Sequence, residues 1–245
     1  MATFALYNLK GGVGKTAASV NLAYLSAADG NKTLVWDLDP QGAASYYLRA
    51  ETSGKNEFKK ILSGNISVQE TIKESIFENL WIIPADMSSR HADILLDEQK
   101  QSRKKLKAFL HDLKDFDTIF IDCPPGLSML HENVFNGVDW VLMPNIPSTL
   151  SILSYDKVID FFEENGLDTE KIKCFFSMVD HRKNMHHEVM QKFYKDTVFF
   201  KSYIPYLSDV EKMGTHQQPV FEFANSSYAA GCYRDLWNEI KKKCV

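Results

Sequence analysis

Short, nearly unbroken apolar runs alternate with longer stretches of helical periodicity along almost the whole chain. Residues 3–8, 33–37, 80–84, 118–122, 140–144, 172–179 and 198–204 read as strands, rich in Val, Ile, Phe and Leu and lacking a strict polar alternation. Such runs belong to strands covered on both faces, as in a parallel sheet. Between them the spacing predicts helices over 16–28, 92–113, 127–136, 150–165, 185–195 and 227–243. The rhythm implies an α/β fold with a mostly parallel twisted sheet and helices on both faces. No Gly/Ser/Pro linker, repeat or low-complexity tract divides the 245 residues, so the expectation is one domain spanning 1–245.

Composition narrows the class. With 44% hydrophobic and 24% charged residues, the chain is neither disordered nor fibrous. The first eight residues lack the basic and cleavage regions of a signal peptide, and no apolar run approaches the ~20 residues of a membrane span. Cys123, Cys174, Cys232 and Cys244 form no C-x-x-C pair, so they read as free thiols of a reducing cytoplasm.

The chemistry is concentrated after the first strand, where residues 8–16 read N-L-K-G-G-V-G-K-T. Gly11, Gly12 and Gly14 let the backbone curl so that N–H groups from Gly11 through Val13 to Ala17 converge on phosphate at a helix N-terminus. Lys15 would reach the β- and γ-phosphates, and the Thr16 hydroxyl would ligate Mg²⁺, making ATP and Mg²⁺ the expected cofactors of a P-loop NTPase. Two further strings begin with carboxylates at strand ends: D-L-D-P-Q-G over 37–42, and D-C-P-P over 122–125, each behind an apolar strand. Carboxylates at the C-terminal ends of neighbouring parallel strands lie beside the phosphate crevice, where Asp122 can hold the metal through water.

The loop departs from the ordinary pattern, because Leu9 stands where the first glycine belongs and a second lysine, Lys10, precedes the glycine pair. K-G-G-V-G-K-T resembles the deviant Walker A motif of the ParA/MinD family of ATPases, and the two Asp-bearing strings resemble its other motifs. The resemblance implies that Lys10 reaches the partner's phosphates across an ATP-dependent sandwich homodimer. It assigns Lys10, Lys15 and Asp39 to catalysis, Asp39 orienting the attacking water, and gives Asp37 a supporting role at the metal with Thr16 and Asp122. The segments 175–183 and 203–207 also look like the family's base-contacting strand ends, which makes Met178, Pro205 and Tyr206 candidate adenine contacts.

The ParA side of the family implies non-specific DNA binding, segregation or positioning of DNA or a large cargo, and slow ATP hydrolysis stimulated by a ParB-like or adaptor protein. Localisation would be cytoplasmic and nucleoid-associated, with no stable membrane association. The alternative is a MinD-like membrane-cycling regulator, for which Leu236, Trp237 and Ile240 beside Lys241 give a faint amphipathic helix. Ala17 replaces the family's second threonine, and too few residues precede Lys10 for a helix-turn-helix extension.

Charge adds one qualification. The net −4 divides into +3 over residues 169–245 and −7 over the rest. Lys192, Lys195, Lys201, Lys212, Arg234 and Lys241 read either as a DNA-contacting strip completed by dimerisation or as dispersed surface cations. The basic run over 100–107 reads as a solvated helix face, and His181, His186 and His187 as a surface helix start rather than a metal site.

Overall fold

Apolar runs without alternation must be buried on both faces, and the computed structural model, which describes residues 1–51, 56–98 and 102–245, achieves this with one sheet. Among the described residues its strands are β1 (Ala2–Leu6), β2 (Thr33–Asp37), β3 (Lys73–Glu74), β4 (Leu80–Ile83), β5 (Thr118–Asp122), β6 (Trp140–Asn145), β7 (Ile172–Val179) and β8 (Ile204–Pro205). Their order is β3-β4-β2-β5-β1-β6-β7-β8, and only the β3–β4 pairing is antiparallel. Every residue of β2 and β5 is buried.

The period-two geometry of each strand sorts these side chains into two layers. Ala5, Tyr7, Leu34, Trp36, Ile119 and Ile121 face one layer, with Leu106, Leu110, Phe135 and Phe162 packed over them. Phe4, Leu6, Val35, Phe120 and Leu142 face the other, covered by the Lys15–Ala28 helix and the terminal Tyr228–Cys244 helix. Ser227 caps the terminal helix by accepting a hydrogen bond from the Ala230 N–H. Its Trp237 ring packs 6.5 Å from Phe4 and 6.0 Å from Phe120, while the indole N–H donates to Asp29 at 2.8 Å.

Two predicted elements differ. The single helix over 92–113 is instead Ala92–Asp97 and Lys105–Asp112, with a 3₁₀ turn at Ser102–Lys104; residues 99–101, which include Lys100 of the basic run, lie outside the described residues. Residues 97–105 contain no apolar side chain that could hold a helix to the core. The predicted strand over 198–204 reduces to one bridge, Cys174 to Phe199, followed by β8. In between, the Lys201 and Ser202 N–H groups donate to the Glu239 carboxylate of the terminal helix rather than to β7. The helix predicted over 185–195 spans Asn184–Lys192.

Truncating Trp237 to alanine removes the ring that joins the terminal helix to β1 and β5. The expected loss is about 3–5 kcal/mol of unfolding free energy. Trp237→Phe retains a ring and loses mainly the Asp29 hydrogen bond, about 1 kcal/mol. Urea titrations of the three proteins should return that order.

Candidate functional site

The chain leaves β1 and turns through residues 8–14 before the Lys15–Ala28 helix. Gly12 and Gly14 have φ of 72° and 91°. A Cβ on Gly14 would stand 2.9 Å from the Ser177 hydroxyl of β7, so glycine is required there by both backbone and space. No side chain caps the N-terminus of this helix. Its first N–H groups are therefore left for an anion, which the positive end of the helix dipole favours. Lys15 is buried, and its Nζ donates to the Lys10 carbonyl at 3.0 Å. Burial lowers its pKa, against the raising influence of Asp122 and Asp39.

Asp37 and Asp122 end β2 and β5 as direct register partners, both buried. Asp37 is fully engaged: one oxygen accepts from the Ser45 N–H at 2.8 Å and hydroxyl at 2.7 Å, the other from the Asp39 N–H at 3.2 Å. Asp122 is 0% exposed, and among the described residues neither of its oxygens has a well-formed hydrogen bond, although the Thr16 hydroxyl is close enough to act on it. Burial first, and then the neighbouring Asp37, raises its pKa, and the opposing pull of Thr16 and Lys15 is smaller. Burial likewise raises Asp37, which Ser45 partly offsets. An orphaned buried carboxylate beside a hydroxyl and a phosphate-binding helix end fits a magnesium ion that shares its remaining ligands with phosphate and water. Among the described residues no cluster of three His, Cys, Asp or Glu could hold a metal. Of the three predicted metal residues, Asp122 and Thr16 are free to serve, whereas Asp37 is committed to shaping the loop that follows it.

A cavity of about 500 Å³ opens at the glycine loop and the start of the Lys15–Ala28 helix. Gly11, Gly12, Gly14, Lys15, Thr16, Ala17, Asp39, Met178, Pro205 and Tyr206 line it as the sequence suggests. Val13 is buried, at 1% exposure, and is not part of the lining. Lys10 is half-buried, outside the lining. Met178 has φ of 54°, at the point where the β7–β8 register shifts. The Tyr206 hydroxyl donates to Glu211 at 2.5 Å, and Glu211, Leu207 and Val210 complete that wall. Gln41 and Pro125 also line the cavity; they lie inside the D-L-D-P-Q-G and D-C-P-P strings and were legible there. Ser177 and Leu207 lie in the two segments read as base-contacting strand ends, whereas Tyr47, Val210, Glu211 and Tyr233 carry no comparable local signal.

The six candidate DNA contacts differ in how far they are engaged within the protomer. Lys192 and Lys195 are exposed and precede β8, whereas Lys212 follows it and pairs with Asp209 at 3.2 Å. Lys241 pairs with Asp29 at 2.7 Å, and the Lys201 ammonium lies 4.2 Å from the Tyr194 ring centre. Arg234 donates to the Asn225 carbonyl at 2.9 Å. The His181 and His187 rings lie 5.7 Å apart, tilted by 37°, where the chain enters the Asn184–Lys192 helix, with His187 bonded to the His181 carbonyl.

A carboxyl whose pKa is raised by folding binds its proton more tightly in the native than in the unfolded chain. Native stability then falls as pH rises from the ordinary carboxylate range, about 4, through the raised value. Asp122→Asn should therefore raise the melting temperature of the nucleotide-free protein at pH 8 by at least about 2–4 °C. The gain should vanish towards pH 4.5, and scanning calorimetry across pH without Mg²⁺ measures it. No gain at pH 8 would mean that the buried pair carries no electrostatic strain.

Comparison with known proteins agrees with this geometry. A family model described as an AAA domain matches residues 1–171. The sporulation initiation inhibitor protein Soj of Bacillus subtilis is 31% identical over 247 residues, covering 96% of each chain. The chromosome-partitioning ATPase Soj of Treponema pallidum is 29% identical, covering 97% of this chain and 96% of its own. A Borrelia burgdorferi plasmid partition protein bound to AMPPNP superposes with a TM-score of 0.87 at 21% identity, covering 99% of both chains. The Pyrococcus furiosus cell division ATPase MinD superposes with a TM-score of 0.78 at 23% identity, covering 98% of both. With the glycine cradle, the second lysine and the paired strand-end carboxylates in place, the chain belongs to the ParA/MinD family of deviant Walker A ATPases, on its ParA-like side.

Proposed function

We propose that this protein is a ParA-type positioning ATPase. ATP binding closes two copies into a sandwich, the dimer holds DNA without sequence preference, and a ParB-like or adaptor protein stimulates a slow hydrolysis that releases it. The observation carrying this reading is the convergence of an uncapped helix N-terminus, a buried lysine and Asp39 on one cavity, with the buried Asp122 close enough to Lys15 and Thr16 to interact with both.

In this reading the loop N–H groups and Lys15 bind the phosphates. Thr16 and Asp122 would hold magnesium, which supplies charge neutralisation at the β- and γ-phosphates. Asp39 accepts the Gln41 N–H through Oδ1 on the cavity wall, Oδ2 having no hydrogen bond among the described residues, and there it orients the attacking water. Lys10 acts on the partner's nucleotide, adding positive charge where the transition state needs it.

A membrane-cycling role has less support. Leu236, Trp237 and Ile240, the apolar positions of the terminal helix, are 0%, 3% and 0% exposed, so the face that would enter a bilayer is used by the core. Among the described residues no helix is long and apolar enough to cross a membrane.

Asp39→Ala should lower ATP turnover at least about 100-fold and leave the ATP-dependent dimer intact. Turnover assays with light scattering read both quantities, and a normal rate would remove Asp39 from the mechanism. Duplex DNA of arbitrary sequence should bind only with ATP, and its affinity should fall steeply as salt rises. Equal binding with ATP, ADP and no nucleotide would sink the switched clamp.

A further inference from the structure

The phosphate loop is tied to the sheet at a point that none of its motifs announces. Asn8 and Asn145 are both 0% exposed, at the C-terminal ends of the adjacent strands β1 and β6. Asn8 Nδ2 donates to the Pro144 carbonyl at 2.9 Å and to Asn145 Oδ1 at 3.1 Å. Asn145 Nδ2 in turn donates to the Met143 carbonyl at 3.0 Å. On its other side, Asn8 Oδ1 accepts the Lys10 N–H at 2.9 Å. The Lys10 carbonyl then accepts from Lys15 Nζ at 3.0 Å. Lys10 is thus held at both of its backbone polar groups, by Asn8 before it and by Lys15 after it. No ion pair or hydrogen bond engages its side chain among the described residues, and it does not line the cavity of its own chain.

Two side-chain amides completely removed from water are unfavourable unless their donors and acceptors are satisfied, and once satisfied they fix a geometry that a hydrocarbon would leave loose. Lys15 has a fixed side-chain partner and a buried place of its own. Lys10 has neither, and its direction depends on how its peptide is held.

We propose that Asn8, anchored by Asn145, is a positioning residue for Lys10. It fixes the Lys10 peptide so that the side chain leaves the loop on the side away from its own cavity, ready for the phosphates bound by a second copy of this chain. The inference rests on the sandwich-dimer reading above. It makes assembly, rather than nucleotide capture by one protomer, the step sensitive to Asn8, since the glycine N–H groups, Lys15 and Thr16 remain in place without it.

The test separates those two steps. Titration with a fluorescent ATP analogue reads capture by the protomer; sedimentation velocity with ATP, in an Asp39→Ala background that keeps the nucleotide intact, reads assembly. Asn8→Ala is expected to change capture by less than 3-fold and to weaken ATP-dependent dimerisation by at least 10-fold. Combined with Lys10→Ala, it should weaken assembly no further than Lys10→Ala alone, a non-additivity that general destabilisation does not produce. If Asn8→Ala fails to fold, Asn145→Ala loosens the same anchor from β6 and should show the same split, with at least a 3-fold loss of assembly. Unchanged dimerisation, a parallel loss of capture and assembly, or additivity with Lys10→Ala would each overturn the proposal. Failure of the parent protein to dimerise with ATP would overturn the sandwich reading itself.

Discussion

Two buried negative charges side by side are the constraint around which this protein is arranged. β2 and β5 end in Asp37 and Asp122, in register and away from water, where like charges repel and neither is hydrated. The chain resolves half of the conflict. The short Ala43–Tyr47 helix brings the Ser45 N–H and hydroxyl onto Asp37, and the same hydroxyl accepts the Ala85 N–H at 2.8 Å, which ties the loop after β4 to the loop after β2. Among the described residues Asp122 is left without a well-formed hydrogen bond. Lys15 lies close enough for its charge to act on Asp122, yet its ammonium is bonded to the Lys10 carbonyl. Asp122 is therefore a buried carboxyl for which magnesium would supply the missing partner, the form that a trade of stability for function takes.

The segment after Asp122 inherits this arrangement. Residues 124–128 run from Pro124 to Ser128, and Pro125 reaches the cavity wall. The Tyr7 hydroxyl donates to the Gly126 carbonyl at 2.8 Å. His131 stands 3.0 Å from both the Pro124 carbonyl and the Ser128 hydroxyl. Burial lowers the pKa of His131, so the neutral ring is favoured. In that state Nε2–H donates to Pro124 while Nδ1 accepts from Ser128. This loop on the cavity wall is thus clamped by Tyr7, which follows β1, and by His131 of the Met129–Gly137 helix. A change at the phosphates has a short path into the helical layer on that face.

The sheet and the phosphate site were legible in the sequence because each is encoded locally. An apolar run that admits no alternation can only be a doubly covered strand, and β1, β2, β5, β6 and β7 emerge within two residues of where their patterns lie. The glycine cradle and strand-end carboxylates have fixed spacings, so Gly14, Lys15, Thr16, Asp39 and Asp122 could be placed without a structure. What escaped depends on distant partners. The strand pattern over 198–204 fails to extend because Glu239, on the terminal helix, takes the N–H groups of Lys201 and Ser202. Asn8 precedes the motif by two residues, and only the fold brings it to Asn145, 137 positions away. On the far wall of the cavity, Val210 and Glu211 are set by a short helix too brief for periodicity to reveal.

The distribution of cations bears on why assembly would serve as a switch. Several cations of the C-terminal part have partners within the protomer: Lys241 on Asp29, Lys243 on Glu239, Lys212 on Asp209, and Lys201 over Tyr194. Among the six candidate contacts, Lys192 and Lys195 are the exposed pair without an ion-pair or ring partner among the described residues. Two phosphate contacts give a salt dependence of about −2 on logarithmic axes and little affinity. A dimer that aligned both copies would give four, with a slope of about −4. Because contributions to free energy add, the affinity gained by doubling the contacts multiplies, so a face too weak to hold DNA as one copy becomes useful as two. Few free lysines on each copy then serve the switch better than many, since a protomer with a strong basic face would stay bound whatever its nucleotide.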